Sequence, residues 1–258
     1  MIEKLIAIFF SPKDKNTACG VWTPTYVVAV AVVMASLIIL IYLSRNMKKE
    51  MVERVIRGMA IFASVTEIIK MVFKGITYGV EKVDLVPLYF CSLFIYMTIL
   101  ASMKNQTLKN AGLSFLFFGG IFGALAFFAY PNSCIPNYPI YHFMCLRTML
   151  YHGSMIYTGI LIVMTGYYQP KLSDFKPYAI SLSIVCALAY TVNLMTGNDY
   201  MYLMKPLKIG ISETVYNAMP HVYPFIVMLI QIFVPFAATF IAYSIYVCIY
   251  RIVKSKSI

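Results

Sequence analysis

The chain has 258 residues, 61% of them hydrophobic and only 12% charged, with a mean hydropathy of +0.78 and a formal net charge of +11. Soluble domains carry about 25% charged residues, so this composition excludes a water-soluble fold and points to one polytopic membrane domain. The six cysteines at 19, 91, 134, 145, 186 and 248 form no CxxC or zinc-like pattern, and neither a metal nor a cofactor is expected.

In chain order, MIEKLIAIFF is a short apolar run broken by SPKDKN, without a small-residue cleavage site. Residues 1–24 therefore read as an interfacial segment rather than a cleaved signal, with Trp22 as an anchor. A first span is expected over 25–43. The following SRNMKKEMVERVIR carries Arg45, Lys48, Lys49, Arg54 and Arg57 and should face the cytoplasm. A second span over 55–72 contains Glu67 and Lys70, three residues apart. Lys70 and Lys74 are expected to snorkel towards the head groups. Glu67 is too short to do so and marks a polar site.

The third expected span, 84–101, opens with Asp84 as N-cap and Pro87 in its first turn. The fourth, 112–130, offers Gly119, Gly120 and Gly123 for close helix contact. PNSCIPNYPIYHF cannot form a regular helix because of its three prolines. Its Cys134 has a partner at Cys145 for a disulfide if that side is oxidising. The fifth span covers 146–167 and the sixth 178–195. The polar TGNDYMYLMKP after the sixth reads as a loop dipping towards a bundle cavity, with Gly197-Asn198 as its turn signal. The seventh span, 224–250, holds Gln231 and Pro235 as cavity-lining or kinking residues. The fold class is thus an all-α membrane bundle of about seven helices over 25–251, with a basic cytoplasmic tail at 252–258. The charge bias favours N-out, C-in. The basic residues act as topology determinants, so no nucleic-acid partner is expected, and nothing specifies a protein partner.

The stretch RTMLYH, 147–152, concentrates chemistry at the start of an apolar run. Arg147 and Tyr151, like Thr148 and His152, are at helical i,i+4 spacing. Acyl transfer at the membrane surface needs a nucleophile, a base and oxyanion donors. His152 fits the base, Asp199 its orienter and Arg147 a bidentate clamp for phosphate or carboxylate. Cys91 or Cys145 fits the nucleophile. Cys145 and His152 are separated by about 10 Å of helical rise, so their pairing needs a broken helix. Tyr89, Tyr151, Asn198, Tyr202 and Lys205 complete the expected substrate contacts. The same residues suit a phospholipid or lipid-like ligand bound without chemistry. A transporter is the other alternative, although no internal repeat divides the spans into matched halves. His142 and His221 read as interfacial, hydrogen-bonded histidines.

The stretches LVPLYFCSL (85–93), LYHG (150–153) and NLMTGNDYMYLMKP (193–206) resemble the YwaF-like family of small integral membrane proteins, over about residues 55–250. This resemblance implies a multi-pass protein of the bacterial cytoplasmic membrane, from a family whose bacterial members are largely of unassigned function. More distantly, that family is similar to a vertebrate acyltransferase group that remodels ether phospholipids. The similarity implies acyl transfer to a lysophospholipid, with a cysteine thioester as one route and a membrane histidine, matching His152, assisting. Those relatives place Cys and His adjacent after a proline. Here Leu88 and Tyr89 follow Pro87, and Cys91 lies two residues further on.

Overall fold

The computed structural model describes residues 7–14, 16–79, 86–207 and 210–255. Among the described residues every regular element is helical. Helix α1 is Pro24–Ser44, α2 Lys49–Tyr78, and α3 Leu93–Ala101, entered through a 3₁₀ turn at Phe90–Ser92. Helix α4 (Gln106–Phe115) continues through a π-helical turn, Leu116–Gly120, into α5 (Ile121–Ala129). Then come α6 (Phe143–Met164), α7 (Phe175–Thr196), the short α8 (Gly210–Ala218) and α9 (Tyr223–Ser255). The Asp84 cap, the first six residues of the interfacial segment and the last three of the tail lie outside the described residues.

Each expected apolar stretch contains a helix. Four are long and apolar enough to cross a bilayer: Pro24–Ser44, Gln106–Ala129, Leu172–Thr196 and Tyr223–Ile252. Helices α2 and α6 have the length but carry Glu67 and Lys70, and Arg147 and His152. The third segment is shorter than the sequence suggested. Pro87 lacks an N–H and biases Val86 away from the helical region, so the helical run is Phe90–Ala101. Its rise of about 20 Å falls short of a hydrocarbon core of roughly 30 Å.

Local chemistry sets the other boundaries. Thr23 caps α1, its hydroxyl accepting from Tyr26 N at 3.3 Å, with Pro24 in the first turn. Asn105 caps α4 by accepting from Thr107 N and Leu108 N. Gly197, at φ 71°, ends α7 in the left-handed conformation that glycine tolerates. Pro235 cannot donate to the Gln231 carbonyl, and the Tyr178 hydroxyl supplies that hydrogen bond at 3.2 Å. In the π turn, Thr239 donates to the Phe118 carbonyl at 3.2 Å.

Burial orders the bundle. The α4–α5 span is 72% buried, whereas α1 is 11% buried and lies at the periphery against α6. Helix α6 also packs on α2, α5 and the π turn, while α3 sits between α2 and α4. At Gly112 the α3–α4 contact is so close that a Cβ would collide with Ala101 N and Met97 O. One end of the bundle gathers residues 11–20, the 131–142 loop and the loops after α7. There Cys19 N donates to Tyr138 O at 2.9 Å and Gly20 N to Ile135 O at 3.1 Å. The opposite end carries the Arg45–Arg57 segment, the loop residues Lys104 and Lys171, and Lys109 and Lys176 in the first turns of α4 and α7.

Candidate functional site

An ionic cluster lies between α2 and α6. The Glu67 carboxylate pairs with Lys70 through one oxygen and with Arg147 through the other. Arg147 Nε also donates to the Thr66 carbonyl at 3.0 Å. The Glu67, Lys70 and Arg147 side chains are only 4%, 11% and 9% exposed. Lys70 therefore does not snorkel as its long stem suggested. A buried carboxylate one turn away holds it inside, where pairing outweighs the reach to water. Among the described residues the cluster contains two cations and one anion.

Tyr151 connects this cluster to Cys91. The Arg147 guanidinium lies 5.1 Å from the Tyr151 ring centre, as the four-residue spacing predicts. The Tyr151 hydroxyl donates to the Cys91 carbonyl at 3.2 Å, and Tyr96 and Glu67 are within its electrostatic reach. The Cys91 thiol points to the Gly123 carbonyl on α5 at 3.9 Å. Beyond Cys91, the Tyr89 ring packs on Tyr200 and Tyr202, with centroids 5.1 and 6.3 Å apart. Burial raises the Tyr202 hydroxyl pKa, and the neighbouring Cys91, Asp199 and Tyr130 add to the rise.

The loop carrying Tyr202 is held in an unusual shape. Met201 and Tyr202 have φ of 61° and 54°, a left-handed conformation that costs roughly 1–2 kcal/mol for each non-glycine residue. Asn193 on α7 clamps the preceding residue, accepting from Tyr200 N at 2.7 Å and donating to Tyr200 O at 3.0 Å. Gln231 on α9 donates to Met201 O at 2.7 Å. Asp199 accepts from Met204 N at 2.8 Å. Burial raises the Asp199 pKa, opposed by the Met204 and Lys205 amides and the Lys205 charge. Asn198 reaches the Tyr200 hydroxyl at 3.4 Å, and the Lys205 carbonyl accepts from Tyr223 at 3.5 Å.

His152 occupies a different face of α6, since successive helical residues point about 100° apart. Its Nδ1 faces the Thr148 carbonyl at 2.8 Å and must donate to it. The neutral ring then carries its lone pair on Nε2, which is buried and has no hydrogen-bond partner among the described residues. The imidazole stacks on Phe127 of α5 at 3.8 Å. The hydrogen bonds thus take Asp199 and His152 to different partners, Met204 and Thr148. Helix α6 is unbroken from Phe143 to Met164, so Cys145 and His152 stay two turns apart. Both Cys91 and His152 nevertheless meet the same face of α5, at Gly123 and Phe127. These two positions are one helical turn apart, about 6 Å. His142 is structural. It N-caps α6 by accepting from Met144 N at 3.1 Å, and Nε2 donates to Ser11 O at 3.0 Å. Among the described residues no group of three His, Cys, Asp or Glu is placed to hold a metal ion.

The TMEM164 family model matches residues 18–243, from the turn before α1 well into α9. The chain belongs to the TMEM164 family. No curated protein and no solved structure matches the sequence. For this TMEM164-family chain, sequence reasoning identified Arg147, Tyr151, Cys91, Tyr89 and Tyr202 as separate candidates, and the fold brings them into one region. It missed Lys70 as a member of the cluster, and Asn193 and Gln231 as clamps. The available signal was a polar side chain on an otherwise apolar helix, which must find a partner inside the bundle.

Proposed function

We propose that this membrane protein is a seven-helix phospholipid-binding protein, N-out and C-in, that holds an anionic head group beside Lys70 and Arg147. The observation that carries the reading is the uneven charge of the buried cluster, two cations on one carboxylate among the described residues. An uncompensated charge at membrane depth is costly, and a lipid phosphate or carboxylate would neutralise it with charge-assisted hydrogen bonds. Tyr151, Tyr96 and Cys91 lie next to the cluster and would contact the glycerol and chains of a lipid held there. The test is native mass spectrometry of the protein released from bilayers into detergent, followed by exchange with defined phospholipids. Wild type should retain an anionic phospholipid, and Lys70→Met, which keeps the Arg147–Glu67 pair, should retain it at least about tenfold less, a change of about 1.4 kcal/mol. Equal retention by both proteins sinks the reading.

Acyl transfer is the second reading, favoured by the common α5 face under Cys91 and His152. In that reaction His152 Nε2 takes the Cys91 thiol proton, the thiolate attacks an acyl ester to form a thioester, and the histidine returns the proton to the leaving oxygen, releasing lysophospholipid. The hydroxyl of a second lysophospholipid then attacks the thioester, His152 Nε2 takes its proton, and the thiol is restored. Reconstituted protein should move a labelled chain from diacyl- to lysophospholipid. Loss of transfer in His152→Ala but not in Cys91→Ala would discard the thioester and keep the histidine. No transfer in wild type would leave binding alone, or transport.

A further inference from the structure

A second concentration of reactive groups lies away from the ionic cluster, where the 131–142 loop meets α6. Cys134 and Cys145 are 2% and 0% exposed, and each thiol lies within the electrostatic reach of the other. The backbone fixes this juxtaposition from both sides. The Cys134 carbonyl accepts from Asn137 N at 2.9 Å and Tyr138 N at 3.1 Å, closing a tight turn. Tyr138 O in turn faces the Cys145 thiol at 3.7 Å. Cys145 is in the first turn of α6, where its N–H bonds the His142 carbonyl at 3.0 Å. Cys19 is nearby, but its thiol contacts Thr23 at 3.6 Å. This end of the bundle is the one away from the basic loops, the side that the charge rule assigns to the exterior, where disulfides persist.

We propose that Cys134 and Cys145 form a disulfide that staples the 131–142 loop to the first turn of α6. The bond forms by exchange with an oxidised dithiol oxidoreductase. A Cys134 thiolate attacks the enzyme disulfide, giving a mixed disulfide and one enzyme thiol. The Cys145 thiolate then displaces the second enzyme thiol. Two protein thiols are oxidised, one enzyme disulfide is reduced to two thiols, and both cysteine protons end on those thiols. Hydrogen bonding from Cys145, and then from Thr148 and Ser133, lowers the Cys134 pKa against its burial and favours it as the first attacker.

The loop is worth fastening because it anchors the N-terminal segment. Asp14 N donates to Asn137 O at 3.2 Å, Cys19 N to Tyr138 O at 2.9 Å and Gly20 N to Ile135 O at 3.1 Å. A bond at Cys134 therefore limits the motion of residues that hold the entry to α1.

The experiment counts thiols. Full-length protein is denatured in SDS with excess N-ethylmaleimide directly from membranes, and its intact mass is measured with and without prior reduction. Of the six cysteines, four should be labelled before reduction and all six after it. Peptide mapping should join Cys134 to Cys145. Six labels before reduction, or a bond that includes Cys19, overturns the proposal. Cys134→Ser should show five labels without reduction, because Cys145 has lost its partner, whereas three labels would mean that Cys145 pairs elsewhere and would also overturn it. Reduction should lower the melting temperature of wild type and leave that of the Cys134→Ser/Cys145→Ser double variant unchanged.

Discussion

Replacing Glu67 by Gln tests whether the ionic cluster has the charge balance described above. The substitution preserves side-chain size and removes the anion shared by Lys70 and Arg147. Both cations are about nine-tenths buried and would face each other without a counterion. Removing one partner of a buried ion pair costs about 3–5 kcal/mol. In a chain of this length each kcal/mol moves the melting temperature by about 2–4 °C, so the expected loss is about 6–20 °C. Lys70→Met removes the surplus cation and keeps the aliphatic stem, so it should cost less than about 1.5 kcal/mol. The double variant Glu67→Gln/Lys70→Met should lie well above Glu67→Gln alone, because only one cation is then left unpaired. Size-exclusion thermostability in detergent measures all four proteins. A Glu67→Gln melting temperature within about 2 °C of wild type, less than the shift for 1 kcal/mol, would refute the reasoning. Equal losses for Glu67→Gln and Lys70→Met would show that Lys70 is a required partner and not a surplus charge.

Other substitutions probe the packing and the strained loop. Gly112→Ala should destabilise by about 1–3 kcal/mol through its clash with Ala101 and Met97. Gly58→Ala, which meets nothing within 4 Å on α2, should be neutral or stabilise by up to about 1 kcal/mol; thermal scans with the reverse order would contradict the helix contact. Asn193→Leu removes the two hydrogen bonds by which this side chain holds the Tyr200 backbone, at about 0.5–1.5 kcal/mol each. Faster hydrogen exchange over residues 199–203 should result, and unchanged protection would dismiss Asn193 as the clamp. Burial lowers the His142 pKa, partly offset by its hydrogen bond to Ser11. The unfolded chain therefore takes this proton first as pH falls below about 6.5. The His142 contribution is constant above that pH, declines below it, and levels off under the folded pKa. His142→Asn keeps a capping oxygen and should flatten the melting-temperature slope between pH 7 and 5.5; an unchanged slope would exclude His142 as its source.

The helices were legible because apolar runs of membrane length have few alternative structures. The start of the third was not, since a proline that suits a first turn can equally delay the helix, and here Pro87 delays it. The π turn at Leu116–Gly120 leaves no periodic signature in LFFGG. Lys70 was misread because a lysine three residues from a glutamate can either pair or snorkel. Arg147, some eighty positions away, completes the trio that decides between the two. Asp199 shows the opposite difficulty. An acid beside aromatic residues looks chemically available, but the amide of Met204 had already engaged it. Arg147 and Tyr151 were predictable as neighbours because their relation is contained within one helix.

The short α3 bears on how the protein enters its membrane during synthesis. Phe90–Ala101 cannot reach both surfaces of a bilayer, and the close approach at Gly112 fits its far end against α4. The few residues between Ala101 and Gln106 bring that partner immediately behind it. The inserting unit is then a hairpin, with the long helix carrying its short neighbour into the lipid. Lengthening this connection would separate the two in time and leave the short arm stranded at the surface.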